Sequence, residues 1–303
     1  MKRLPIKIMI LAALCNILFG SAIPAIKLGY DLFGMEGDIF SSILYAGIRF
    51  FSAGVAVFIF TSLYEKKLPS FKKQNALDVV LLGVVYIFLQ YLFFYIGVSN
   101  VPGTVSTLLT SSSVFISIIL AHFIYKDDKI TLAKAIGSII GFAGVFMVCV
   151  SGLSGKGFTF TGEGFVFVSS FMFVLGSVIN KKVTKSISSF VSTAYNLLIG
   201  GLLLIIVGFS GYNGGIEVTF SGCLALMYLI FVSSFATTLW CTLVKNYPIG
   251  DLSIFNFLIP VSGAIFSGIL LKENIFNLKY ILSLLLVCTG IIAVNFKVKT
   301  KSR

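Results

Sequence analysis

From Ile6 to Phe296 the chain is a succession of apolar runs about twenty residues long, separated by short loops that hold most of its charge. Wound as a helix rising 1.5 Å per residue, such a run matches the ~30 Å hydrocarbon core of a bilayer. Ten runs are expected to span, at 6–27, 39–64, 77–98, 103–124, 132–150, 163–181, 190–209, 221–245, 251–271 and 279–296. Barrel strands would instead alternate apolar and polar residues over segments of about ten. Composition closes the soluble alternative: only 11% of residues are charged and mean hydropathy is +1.03, against about 25% charge in ordinary domains. The expected fold class is an all-α integral membrane protein of ten transmembrane helices, with the lipid bilayer as its main partner. The start, "MKRLPIKIMILAALCNILFGSAIPAIKLGY", has the basic and then apolar order of a signal peptide. Its run is too long and is interrupted by Asn16, Gly20 and Pro24, so an uncleaved first helix is expected.

The net charge of +12 belongs to membrane orientation rather than to nucleic-acid binding. With the N-terminus in the cytoplasm and ten alternating spans, eighteen of the 23 Lys and Arg fall on the cytoplasmic side. They lie at residues 2–7, 66–73, 126–134, 181–185, 245 and 297–303. Lys27, Lys156, Lys272 and Lys279 fall outside, and Arg49 lies within the second span. This bias predicts an N-in, C-in protein of the cytoplasmic membrane. The five Cys (15, 149, 223, 241, 288) sit in or beside apolar runs and make no CxxC pair, so they read as small buried hydrophobes. The one His and the lack of ligand spacing predict neither metal nor cofactor.

The chain also repeats itself. Shifted by 146 residues, "VSNVPGTVS" lies on "VKNYPIGDLS": Val98, Asn100 and Pro102 fall on Val244, Asn246 and Pro248. Lys126-Asp127 then falls on Lys272-Glu273, and Gly144 on Gly290. After about ten inserted residues, "FGSAIPAIK" matches "LGSVINKKV". Two five-helix units are expected, at 1–150 and 151–303. Because five is odd, the second enters the membrane from the opposite side, an inverted repeat of the kind found in secondary transporters.

"FGSAIPAIK" in the first span, "AGIRFFSAG" in the second and the "YKD" and "LKEN" closures of the halves resemble EamA-type members of the drug/metabolite transporter superfamily. The resemblance covers nearly the whole chain. It implies a central cavity lined mainly by spans 1, 3, 4, 6, 8 and 9, in a family whose members mostly export or exchange amino acids and other small metabolites. The chain departs from the family pattern at Phe19, Ala22, Val114 and Asp127.

Polar residues inside spans are the functional candidates, because hydrocarbon penalises an unpaired polar group by several kcal/mol. In span one, Asn16, Gly20, Pro24 and Lys27 share a helix face, to line a cavity or to pack small residues against a neighbour. Lys27 is expected to snorkel outward. In span three, Tyr86, Gln90, Phe94 and Gly97 share a face. Span four opens with the hydroxyl band "GTVSTLLTSSS"; Thr107 and Ser111 share a face, Thr110 falls on Asn256 under the repeat, and Ser112 and Ser113 read as packing. Span eight offers Trp240, as interfacial belt or cavity wall, and span nine Asn256. Arg49 lies about ten residues into its span, to attract a substrate anion or to hold a neighbouring helix end. Asp78 and Asp251 sit at helix starts, where capping explains them.

Together these features predict a non-enzymatic secondary transporter, monomeric or weakly dimeric, moving an amino acid or related zwitterion by alternating access. No carboxylate falls in mid-span and the one His, His122, near a span end, is the sole candidate for a proton relay, so facilitation or exchange is expected over proton coupling. Rival readings are a proton-coupled drug or metabolite exporter, a sugar-phosphate or nucleotide-sugar carrier, and a non-transporting sensor or accessory subunit. A phosphate carrier would want several cavity Lys or Arg.

Overall fold

The computed structural model describes residues 5–35, 38–124, 130–150, 158–247 and 252–295. Every regular element among them is helical, and contiguous segments join into ten rods. These are α1 (Ile6–Leu32), α2 (Ile39–Glu65), α3 (Lys73–Asn100), α4 (Gly103–Ile124), α5 (Leu132–Val150), α6 (Phe160–Val183) and α7 (Ser189–Ser210). Then come α8 (Phe220–Phe231 continued to Asn246), α9 (Ser253–Phe257 continued by Leu258–Leu270) and α10 (Leu278–Asn295). Seven are long and apolar enough to cross a membrane; α5, α9 and α10 hold shorter apolar windows. Large apolar side chains such as Ile59, Ile139, Phe146, Ile206, Met227 and Ile269 point outward. Helices satisfy their own backbone, which is what lets this surface face hydrocarbon. The molecule is a multi-pass helical membrane protein.

Local chemistry sets the helix ends. Asp38 accepts from Phe40 N, Ser188 from Val191 N and Thr219 from Gly222 N, each an N-cap. Lys66 closes α2 at φ 51° and Gly34 follows α1 at φ 66°, the left-handed turn that ends many helices. Asp78 lies in the first turn of its helical segment and pairs with Lys182 at 3.0 Å instead of bonding a backbone amide. Asp127 and Asp251 lie outside the described residues.

α1 runs past its expected end at 27 to Leu32. Three π segments, Gly83–Leu89 in α3, Phe160–Gly164 in α6 and Val232–Ala236 in α8, interrupt what the apolar runs predict as plain α-helix. The first lies where α3 meets α7 closely: a Cβ on Gly83 would press on Ile199, and one on Gly200 on Ile87. Widened turns of this kind absorb such local mismatch.

The most extensive packing joins α2 to α7, followed by α3 to α6, α5 to α10 and α1 to α9. Glycine makes it close. Gly47 and Gly54 of α2 face the backbone at Leu204–Ile205 and Leu197–Leu198, while Gly201 and Gly208 of α7 face Phe50–Phe51 and Leu44. In α5 and α10, Gly137 meets Gly290 and Gly144 meets Ser283. Both pairs run antiparallel, with partner numbers falling as the helix numbers rise. Small residues let backbones approach where lipid supplies no hydrophobic drive.

Candidate functional site

The hydroxyl band of α4 bonds mainly to its own helix. Thr107 Oγ1 donates to Gly103 O at 2.7 Å, Thr110 Oγ1 to Thr107 O at 2.8 Å, Ser111 Oγ to Thr107 O at 3.2 Å and Ser113 Oγ to Thr110 O at 2.7 Å. Two hydroxyls thus crowd the Thr107 carbonyl, and the backbone tightens there. Ser111 N bonds Leu108 O and Val114 N bonds Ser111 O, both three residues apart. Such back-bonding bends helices, and α4 is interrupted at Ser111, between Thr110 and Ser112.

Beyond the break, α4 faces α6 and the start of α9 across a cleft of about 80 Å³. Ser113, Ser117, Phe173, Ser177 and Asn256 line it. Ser117 Oγ donates to Val114 O at 2.6 Å and Ser177 Oγ to Phe173 O at 2.8 Å. Each cleft serine therefore has its one proton committed to a carbonyl, and its oxygen lone pairs remain available as acceptors. Ser113 belongs here, not to packing as the sequence led us to expect: it is half-buried on the cleft, whereas Ser112, one residue or ~100° further round the helix, is fully buried.

A second cleft, of about 200 Å³, lies between Ile124 of α4, Val178, Lys181 and Lys182 of α6, and Lys185 in the turn that follows it. Ser177 and Lys181 are one helical turn apart, and Ser117 and Ile124 two turns apart, so the clefts follow one groove between α4 and α6. Its mouth is basic and its inner part is rich in acceptors.

The faces expected to line a cavity are occupied by neighbouring helices in this structure. A Cβ at Gly20 would overlap Ser262 of α9, and Asn16 Nδ2 donates to Ala12 O at 2.8 Å. Pro24 is buried within α1. On α3, Tyr86 stacks on Phe173 and fills the space over Gly176, while Gly97 lies against Val166 of α6. Gln90 and Phe94 are buried. Thr107 is fully buried against Gly263, Ser111 is buried, and Thr110 is half-buried. Trp240 packs with Ala12, Cys15 and Leu243, between α1 and α8. His122 Nδ1 accepts from Ile130 N at 3.2 Å, tying α4 toward α5. Of these candidates only Asn256 lines the cleft. Ser117 and Ser177 were not singled out, because a back-bonded serine in an apolar run carries no distinguishing pattern.

Arg49 is buried in a separate hub. Its Nε donates to Ser233 Oγ at 2.8 Å, one terminal nitrogen donates to Tyr95 Oη at 3.0 Å, and the guanidinium lies 4.8 Å from the Phe50 ring centroid. Tyr95 in turn packs among Tyr30, Tyr45 and Tyr91. The arginine thereby joins α2, α3 and the π turn of α8. Lys27 does not simply snorkel: its Nζ donates to Val98 O at 3.1 Å and Val101 O at 2.6 Å, at the end of α3. Among the described residues no group of His, Cys, Asp and Glu is placed to hold a metal.

The EamA-like transporter family matches this chain twice, over residues 6–150 and 160–296. The uncharacterized transporter YetK of Bacillus subtilis is 26% identical over 84% of this chain and 79% of its own length. YvbV, an uncharacterized transporter of the same organism, is 27% identical over 86% and 84%. A crystal structure at 16% identity superposes with a TM-score of 0.64, covering 93% of this chain and 95% of the other, and so shares the fold.

Proposed function

The chain belongs to the EamA-like transporter family and is a membrane transporter, and from that premise we propose that it carries an amino acid or related zwitterion across the cytoplasmic membrane by alternating access, as an exporter, facilitator or exchanger. In this reading it is built of two inverted five-helix units, 1–150 and 151–303, with both termini in the cytoplasm. Several features support the two units. The π segment at 83–89, shifted by 146, falls on 229–235, and the π turn of α8 occupies Val232–Ala236. The break in α4 at Ser111 falls on Phe257, where α9 passes from 3-10 to α geometry. The α2/α7 and α5/α10 pairs are each reciprocal about their own centres.

The groove carries the substrate assignment. Its serine oxygens, with their protons engaged, favour a donor such as an ammonium group, and Asn256 adds an amide that both donates and accepts. The lysines at the mouth, of which Lys182 is paired with Asp78, leave it net positive, which favours a carboxylate. A zwitterion lying along the groove meets both. A phosphate-bearing solute is the second reading, favoured by the same lysines. Exchange in proteoliposomes of a labelled amino-acid pool, against amines and sugar phosphates, tests both. Amino acids should exchange, and Ser177→Ala with Asn256→Ala should lower the rate about tenfold or more, as loss of two hydrogen bonds implies. Sugar-phosphate exchange with inert amino acids would overturn the zwitterion.

A further inference from the structure

The end of the molecule opposite the lysine groove is shut, and what holds its α3–α4 turn comes from far along the chain. α4 begins after Pro102, which provides no side-chain cap, so the amides of its first turn lack a local acceptor. The acceptor is Glu273, from the loop between α9 and α10. Gly103 N donates to Oε1 at 2.7 Å and Thr104 N to Oε2 at 2.9 Å. Gly103 suits this approach, because a Cβ there would lie 2.9 Å from Ser267 Oγ and 3.0 Å from Leu271. On the other side of the turn, α3 ends on Val101 in extended geometry, without a left-handed cap. The carbonyls of Val98 and Val101 are instead met by the Lys27 ammonium, from α1. A cation thus sits on the negative end of α3 and an anion on the positive end of α4, each the charge that its helix terminus favours.

We propose that Lys27 and Glu273 form a two-charge clamp on the turn Val98–Thr104, and that opening this end of the transporter requires its release; the proposal rests on the alternating-access reading above. The clamp suits a reversible gate. Its bonds are charge-assisted and therefore short and directional, yet every group in it can turn to water when the end opens. Val98, Val101 and Val105 beneath it are almost fully buried, so parting the turn from α9 and α1 would expose the interior. The same end also carries neutral ties. Tyr30 Oη to Tyr95 O at 3.2 Å joins α1 to α3 below the turn, while Thr219 Oγ1 to Leu32 O at 2.8 Å and Glu217 N to Phe33 O at 2.9 Å hold the approach to α8 against α1. The charged bonds on the turn itself are those of the clamp.

The test is a distance measurement that needs no substrate. Spin labels are placed at Asn100 and Phe276, both exposed, in a cysteine-free full-length chain in lipid nanodiscs. Pulsed dipolar spectroscopy should give mainly one short distance. Glu273→Gln, Lys27→Met and the double variant should each add a longer component, shifting the open-to-closed ratio by roughly fivefold or more, as loss of a charged hydrogen bond implies. Lys27→Arg should restore the short distance. Unchanged distances in all variants that remain monodisperse would overturn the clamp. Should Glu273→Gln fail to fold, Lys27→Met alone decides. Parallel exchange assays separate the two claims. Distances that shift in a protein moving no solute sustain the clamp and refute transport; unaltered distances with intact exchange do the reverse.

Discussion

Arg49 shows how far a single residue can be understood from sequence. Its depth within an apolar run made it a candidate at once. Its partners did not appear, because Tyr95 and Ser233 lie 46 and 184 residues away and ordinary hydroxyls give no signal. In the structure the guanidinium forks between two helices, a geometry lysine cannot reproduce. Arg49→Lys should therefore cost about 1.5–3 kcal/mol and lower the thermal midpoint in detergent. If the midpoint holds and only substrate affinity falls, Arg49 serves the solute and not the fold. Ser113 makes the complementary point. Sequence grouped it with Ser112 because both can bond backward along α4. Only the position of α6 and α9 distinguishes the residue on the cleft from the one packed beside it.

At the scale of elements, the apolar runs located the helices well, since length and hydropathy alone decide what spans a bilayer. The packing faces were harder to read. The small-residue face of α1 stands out in the sequence, while the largest contact, between α2 and α7, depends on glycines seven apart on both helices. Gly201→Leu should force α7 away from the Phe51 backbone, costing about 1–3 kcal/mol or more by overpacking. Thermal melting and gel filtration would register it as a lowered midpoint and lost monodispersity. Gly215→Ala is the control, its nearest neighbour being the Asp38 carboxylate at 3.9 Å, and should leave both unchanged. The π segments were illegible for a related reason. A widened turn has no composition of its own and arises from how neighbouring helices crowd it.

For the whole molecule, the lysine bias makes a directional prediction. A cysteine at Lys181 should react with an impermeant maleimide only from the cytoplasmic face of oriented vesicles, and one at Phe276 only from the opposite face. The reverse pattern, or labelling of both from one side, would refute the inverted two-unit arrangement. Under that arrangement the α2/α7 and α5/α10 pairs each join a helix to its own counterpart. Exchanging the conformations of the two units leaves such a pair unchanged, so its contacts contribute equally to the inward- and outward-open states and cancel from the difference between them. The α1/α9 contact, by contrast, trades places with the α4/α6 contact. The balance between the two states then depends on how unequal such traded interfaces are: here Gly20 and Gly263 pressed together in one, a serine-lined groove in the other, and in the same way α3/α6 against α1/α8.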